Sequence, residues 1–280
     1  PGTTYYLRAY SISDIGTTYG DEKIFKTYDA GGVFDNDGNY YRTITIGAQV
    51  WMAENLRTTK YNDGTDIPLV TDNSTWENLT SPGYCWYENN EAAYKSTFGG
   101  LYNWFTVGTG KLCPVGWHIP GYFEWIEMAN NLGGESIAGG RMKEIGMTNW
   151  KYPNTSATNE SGFTALPGAT RGGGNFYGMG IFGTWYASDH YDIGGIPYSS
   201  YGFSLNFNQG SINNSPVLVN EGFSIRCVKD NSEEQSIMLQ ESTRWVLSLA
   251  PPFPCNWIKV LYPYEKVVNY RYPRYPKLSW

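Results

Sequence analysis

Histidine is nearly absent from this chain, with two in 280 residues. With no HxxH spacing and no Ser/His/Asp order, His118 and His190 offer no recognisable metal site or hydrolytic triad, and His118, in a turn between Trp117 and Ile119, reads as structural. Cysteine is scarce as well. Cys85, Cys113, Cys227 and Cys255 contain no CxxC pair, which speaks against zinc and suits a disulfide framework in a secreted context. Basic residues are too few and too dispersed for nucleic acid: the net charge is -6, and no Lys/Arg stripe is present to neutralise phosphates. No apolar run approaches the roughly 18 residues of a membrane span. The chain starts at Pro1 without Met or a signal-like segment, so it reads as a piece of a longer protein.

What is abundant is glycine and aromatic side chain. Thirty-three glycines and 17% aromatic residues, among 41% apolar, predict an ample core built from short strands and long ordered loops, with few helices. The best-specified local element is Leu112 to Met128 (LCPVGWHIPGYFEWIEM), with a turn at Pro114-Val115-Gly116 leading into a helix. Tyr122, Trp125, Ile126, Ala129 and Leu132 recur at helical spacing, Glu124 and Glu127 complement the positive end of the dipole, and Gly133-Gly134 supplies a left-handed stop.

Along the chain, residues 1–27 alternate as a hairpin about Asp14-Ile15-Gly16. Asp35-Asn36-Asp37-Gly38-Asn39 is a tight turn before a strand from Tyr41 to Ile46, and Val50-Trp51-Met52 opens another apolar run. Asp35 and Asp37 are the candidate metal ligands, with calcium the one cofactor considered, but the Glu of an EF-hand loop would fall on Ile46, so a plain turn is the competing reading. Gly108-Thr109-Gly110-Lys111 fails as a phosphate loop because Leu112 replaces the required Ser or Thr. Gly172-Gly173-Gly174 reads as a loop, residues 183–188, 201–207 and 221–228 as strands, and Glu124, Glu127 and Glu144 as solvated faces rather than a hydrolytic pair. After residue 230, Pro and Tyr accumulate, Lys and Arg outnumber acidic residues, and no period remains, so 231–280 is an irregular tail to which no fold is assigned.

Two resemblances follow from these residues. PGTTYYLRAY resembles the close of a fibronectin type III domain, with Tyr5 in the place of the tyrosine-corner residue, so 1–27 would be that domain's C-terminal hairpin. The segments DNDGNYYRTITIGAQVWMAENLRTTKYNDG, GYCWYENN, FGGLYNWF, LCPVGWHIPGYFEW, TNESGFTALPGATR, GTWYASD and GFSIRCVKD resemble, in order, the Fibrobacter succinogenes major paralogous domain over about 28–230. That resemblance implies an α+β domain of C-type lectin-like architecture, distantly related to the formylglycine-generating sulfatase-modifying factors. It also implies a surface-displayed, lipoprotein or secreted protein of Bacteroidota-like or Fibrobacter-like bacteria. The reactive cysteine pair of the enzymatic relatives is missing, Cys227 standing alone, as are the Glu-Pro-Asn, Gln-Pro-Asp and Trp-Asn-Asp tripeptides of calcium-dependent lectins.

A Cys113–Cys227 disulfide would join the start of the helix to the last strand, with Cys85–Cys113 or free thiols as rivals. The expected function is non-enzymatic binding or adhesion through a glycan or protein ligand; the alternatives are a sulfatase-modifying type of enzyme and a ligand-free spacer. Trp185, Tyr186, His190, Tyr191, Tyr198 and Tyr201 are the candidate ligand-binding residues, because loop aromatics combine flat apolar area with a polar edge.

Overall fold

In this computed structural model the described residues are 4–26, 31–189 and 198–231. The hairpin comes first. β1 (Thr4–Ser13) and β2 (Gly16–Lys26) pair antiparallel with Ser13 opposite Gly16, so Asp14-Ile15 is the two-residue loop and Gly16, at φ 137°, takes the strained position. Leu7, Tyr10, Ile15, Tyr19 and Ile24 are all exposed, and no described side chain of the hairpin is buried. Tyr5 pairs with Phe25 along the backbone, and their side chains lie outside the described residues.

The next elements are small. β3 (Val33–Phe34) pairs with β4 (Tyr40–Tyr41) across the 35–39 turn, and β5 (Thr43–Ile46) with β6 (Gln49–Met52). α1 (Asn73–Glu77) is capped by the Asp72 carboxylate on the Thr75 amide. β7 (Tyr84–Cys85), α2 (Glu91–Phe98), β8 (Leu101–Tyr102), α3 (Trp104–Val107) and β9 (Trp117–His118) follow.

The expected helix is α4 (Tyr122–Asn131), the longest helix among the described residues. It buries Trp125, Met128 and Ala129 and stops at Gly133 and Gly134, both with positive φ, before α5 (Glu135–Met142). The turn before it is closed by the Trp117 amide on the Pro114 carbonyl at 3.0 Å.

The triple glycine is a hairpin rather than a loop. β10 (Thr170–Gly172) pairs with β11 (Asn175–Tyr177), and Gly173 and Gly174 both adopt the positive φ that a two-residue primed turn requires. A Cβ on Gly174 would also meet the Asn73 carbonyl oxygen at 2.5 Å. β12 (Phe182–Tyr186), β13 (Tyr198–Asn206) and β14 (Ile212–Leu218) form a three-stranded sheet. β15 (Val228–Lys229) sits between β6 and β9 in the order β5-β6-β15-β9.

The strand expected over 221–228 is only partly regular: Gly222, Phe223 and Ser224 make isolated bridges to Arg171, Tyr102 and Trp185, and a ladder begins only at Val228. Arg226 lies within this segment. Its guanidinium is buried and donates to Asn55 Oδ1 at 2.7 Å and to the carbonyls of Met52, Phe163 and Thr164, over the Phe163 ring at 4.2 Å. Arg171 does the same for the 70–73 segment, and Lys143 Nζ for the carbonyls of Thr155, Asn206 and Gln209. Each buried cation thus supplies donors to carbonyls in loops and at strand ends. Around them Trp51, Trp76, Trp86, Trp125, Trp150 and Trp185 are fully enclosed.

Cys113 and Cys227 form a disulfide across a separation of 114 residues, tying the segment before β9 to the residue before β15. In the chain-entropy account a closure of that length contributes about 5 kcal/mol. The rival Cys85–Cys113 pairing is ruled out, since Cys85 is a buried free thiol.

Candidate functional site

The richest concentration of chemistry lies at the start of α4. Gly121 precedes the helix and has no side chain with which to cap it, so the first amides are satisfied from elsewhere. Glu124 reaches back and accepts the Gly121 amide at 2.7 Å, and Asp189, just beyond β12, accepts the Tyr122 amide. Both carboxylates lie where the helix dipole favours negative charge.

His118 in β9 lies between Glu124 and a third acid, Asp230. Its Nδ1 meets Asp230 Oδ1 at 2.6 Å and its Nε2 meets Glu124 Oε1 at 2.9 Å. Burial lowers the imidazole pKa, but the hydrogen bonds and charges of Glu124 and Asp230 outweigh it and raise the value to about 9. At neutral pH the ring is therefore an imidazolium donating from both nitrogens, which leaves no lone pair for general-base work. It clamps β9, the helix start and the residue after β15 together.

Among the described residues no cysteine is a ready nucleophile. Cys113 and Cys227 are oxidised to a disulfide, and burial pushes the Cys85 thiol up to about 12, far from a reactive thiolate.

Beside this network stands a wall of aromatic rings graded from core to solvent. Trp125 stacks on Phe203 at 5.2 Å; Tyr122 meets Phe203 at 5.5 Å and Tyr201 at 4.7 Å; Phe123 stands edge-on to Tyr122 at 5.4 Å and is 80% exposed. Tyr122 and Tyr201 are half-buried. A phenylalanine this exposed on a helix's first turn contributes little to folding and offers a flat apolar face. The adjoining pocket, lined in part by His118, Ile119, Cys113 and Ser188, holds about 140 Å³, less than small-molecule sites of roughly 300 Å³ and above. Any recognition here uses the open face.

With this geometry in view, the comparison with known families is decisive. The Fibrobacter succinogenes major domain matches residues 44–229. The chain belongs to that family. No curated protein and no solved structure matches it. The motif-rich part of this major domain accordingly holds the β5-β6-β15-β9 sheet, α4 and the aromatic wall, inside the 28–230 span expected from the motifs.

The structure corrects two of the candidate ligand-binding residues. Trp185 and Tyr186 are fully buried: the Trp185 indole donates to Asn55 Oδ1 at 3.0 Å, and Tyr186 lies against Phe223. β12 is an edge strand of its sheet, but both of its faces are packed, Trp185 into one buried cluster and Tyr186 into another, so neither presents a surface to a ligand. His190 and Tyr191 lie outside the described residues; Tyr198 begins β13 opposite Leu218, and its side chain is likewise outside them. Tyr201 does lie on the aromatic wall.

Asp35 and Asp37 are engaged by protein donors. Asp35 accepts the Asp37 and Asn39 amides, Asn39 Nδ2 and the Tyr41 hydroxyl, while Asp37 accepts from Thr58 and Thr59. The 35–39 segment is a pinned turn, closed by the Gly38 amide on the Asp35 carbonyl at 3.1 Å. Among the described residues no group of three potential metal ligands occurs, and no helix is long and apolar enough to cross a membrane.

Sequence reasoning missed the joining of Glu124 and Asp230 through His118, and the exposed Phe123 on the aromatic wall. The Gly121–Glu124 spacing of a capping box was the one local signal; nothing in the sequence announces the reach to Asp230.

Proposed function

We propose that this major domain is a non-enzymatic recognition module of a secreted or surface-displayed bacterial protein, and that the aromatic wall at the start of α4 binds a glycan. The supporting observation is Phe123, exposed on a rigid helix beside Tyr122 and Tyr201, with the Asp189 carboxylate anchored at the same helix start. Aromatic faces take the apolar face of a sugar ring, and a neighbouring carboxylate accepts its hydroxyls. Within the same proposal the fold is a C-type lectin-like branch, and residues 1–27 are the closing hairpin of a fibronectin type III-like domain in an adhesin-like chain. Calcium plays no part in it, since Asp35 and Asp37 already serve protein donors.

The sulfatase-modifying reading needs a reactive thiol, and Cys227 is held in a disulfide. The test is binding of the protein to arrayed plant, host and bacterial glycans, with calcium and with chelator. We expect a chelator-insensitive hit that Phe123→Ala weakens at least about tenfold without lowering the melting temperature. A hit that Phe123→Ala leaves untouched, or a blank array, would sink the assignment.

A further inference from the structure

A second surface, built from other residues, lies against the pinned 35–39 turn. There a cleft of about 500 Å³ is lined by Asn39, Arg57, Glu91, Ala92, Lys95 and Ser96. We propose that this cleft binds the carboxylates of an acidic polysaccharide, with Arg57 as the bidentate contact and Lys95 as the supporting charge.

Arg57 is fixed in place by a relay. Its amide donates to Tyr41 Oη at 2.9 Å, and Tyr41 Oη donates to Asp35 Oδ2 at 2.7 Å. The guanidinium lies 4.7 Å over the Tyr41 ring and uses Nη2 on the Tyr40 carbonyl at 2.8 Å. Its remaining N–H groups meet no protein acceptor among the described residues. A planar, preorganised, partly unsatisfied guanidinium suits a planar carboxylate better than it suits a neutral hydroxyl. The buried Asp35 also takes Asn39 Nδ2, which orients that amide on the same rim.

Lys95 completes the arrangement. Its Nζ sits 5.1 Å from the Trp86 ring and pairs with Glu91 at 2.7 Å one helical turn away. A partly exposed pair of this kind is weak, so a ligand carboxylate can take the ammonium from Glu91 at little cost.

Two cations thus share one rim of a chain with net charge -6. The rings of Tyr41 and Trp86 lie beneath the cations and do not line the cleft, so stacking on a neutral sugar is not what this surface offers. An acidic peptide is disfavoured because, among the described residues, Ala92 is the one apolar side chain in the lining and peptide recognition needs a larger anchor. The open shape accommodates a chain passing across it.

The experiment titrates the 280-residue protein by calorimetry with tetragalacturonate, with its fully methyl-esterified form and with tetraglutamate, at low and at high salt. We expect the acid to bind, the ester to bind at least about tenfold more weakly, and salt to weaken the acid. Arg57→Lys, which keeps the charge but not the fork, lowers affinity about tenfold. Lys95→Gln, on an exposed helix and safe for folding, lowers it about threefold. Phe123→Ala changes nothing, which separates this site from the glycan face at α4. Absent binding of the acid, equal binding of acid and ester, or insensitivity to Lys95→Gln would overturn the proposal, and tetraglutamate binding as tightly as the acid would reassign the cleft to peptides.

Discussion

The β1–β2 hairpin and the domain that follows invert the usual relation between regularity and burial. The hairpin has the two longest strands among the described residues, in near-continuous register, yet Ile15 is 99% exposed and none of the hairpin's described side chains is buried. The domain is assembled largely from strands of two to five residues, yet it encloses six tryptophans, two arginines and a lysine. Regular hydrogen bonding is therefore a poor guide to where this protein's stability lies. Ladder bonds replace bonds to water at small net gain, whereas enclosed aromatic area and fully satisfied buried polar groups separate the folded chain from the unfolded one.

The contrast can be broken most forcefully at Arg226. Arg226→Ala leaves the Met52, Phe163 and Thr164 carbonyls without their donor inside a dry core, at about 1–3 kcal/mol each. We expect a loss of at least about 4 kcal/mol in chemical denaturation; a loss under about 1 kcal/mol would mean that water fills the gap and that buried cations do not organise the loops.

A smaller effect concerns the His118 clamp. Its folded pKa lies above the ordinary imidazole value, at about 9 against 6.5, so its contribution is complete below about pH 6.5 and is lost as the pH rises through 9. The difference in stability between the wild type and His118→Gln should shrink between pH 6.5 and pH 9.5. An NMR titration of the ring with a midpoint near 6.5 would contradict the clamp.

The smallest effect belongs to the hairpin. Leu7→Thr with Ile24→Thr should change the stability of the domain by less than about 0.5 kcal/mol, because exposed side chains away from special features rarely count for more. A loss above about 1.5 kcal/mol would show that the hairpin is covered in solution and would erase the contrast.

Much of the local architecture was legible. The spacing from Tyr122 to Leu132 with Gly133-Gly134 marked α4 and its end, Asp14-Ile15-Gly16 marked the hairpin turn, and Asp35 to Asn39 marked the turn that β3 and β4 flank. These features arise from neighbours in the chain, where period and turn chemistry operate. The Gly172–Gly174 hairpin was passed over because three glycines carry no side-chain alternation, and only the pairing of Arg171 with Phe176 reveals the strands. Trp185 and Tyr186 misled for a related reason: aromatic richness does not say which side of a strand faces water, and on β12 both faces are covered.

The sequence alone therefore determined the family, the α+β character, the start of α4 and the Cys113–Cys227 pairing as one of a few possibilities. Tertiary structure decided which cysteines joined, that His118 sits between Glu124 and Asp230, that Tyr201 meets Tyr122, and that Asp35 positions Arg57 through Tyr41. The disulfide, the His118–Asp230 bond and the Tyr201 contact join residues about 80 to 114 positions apart, and even the Asp35 relay crosses a turn and several strands. Local propensity has no reach over such separations; only the burial of the aromatic core, acting on the whole chain at once, brings these groups together.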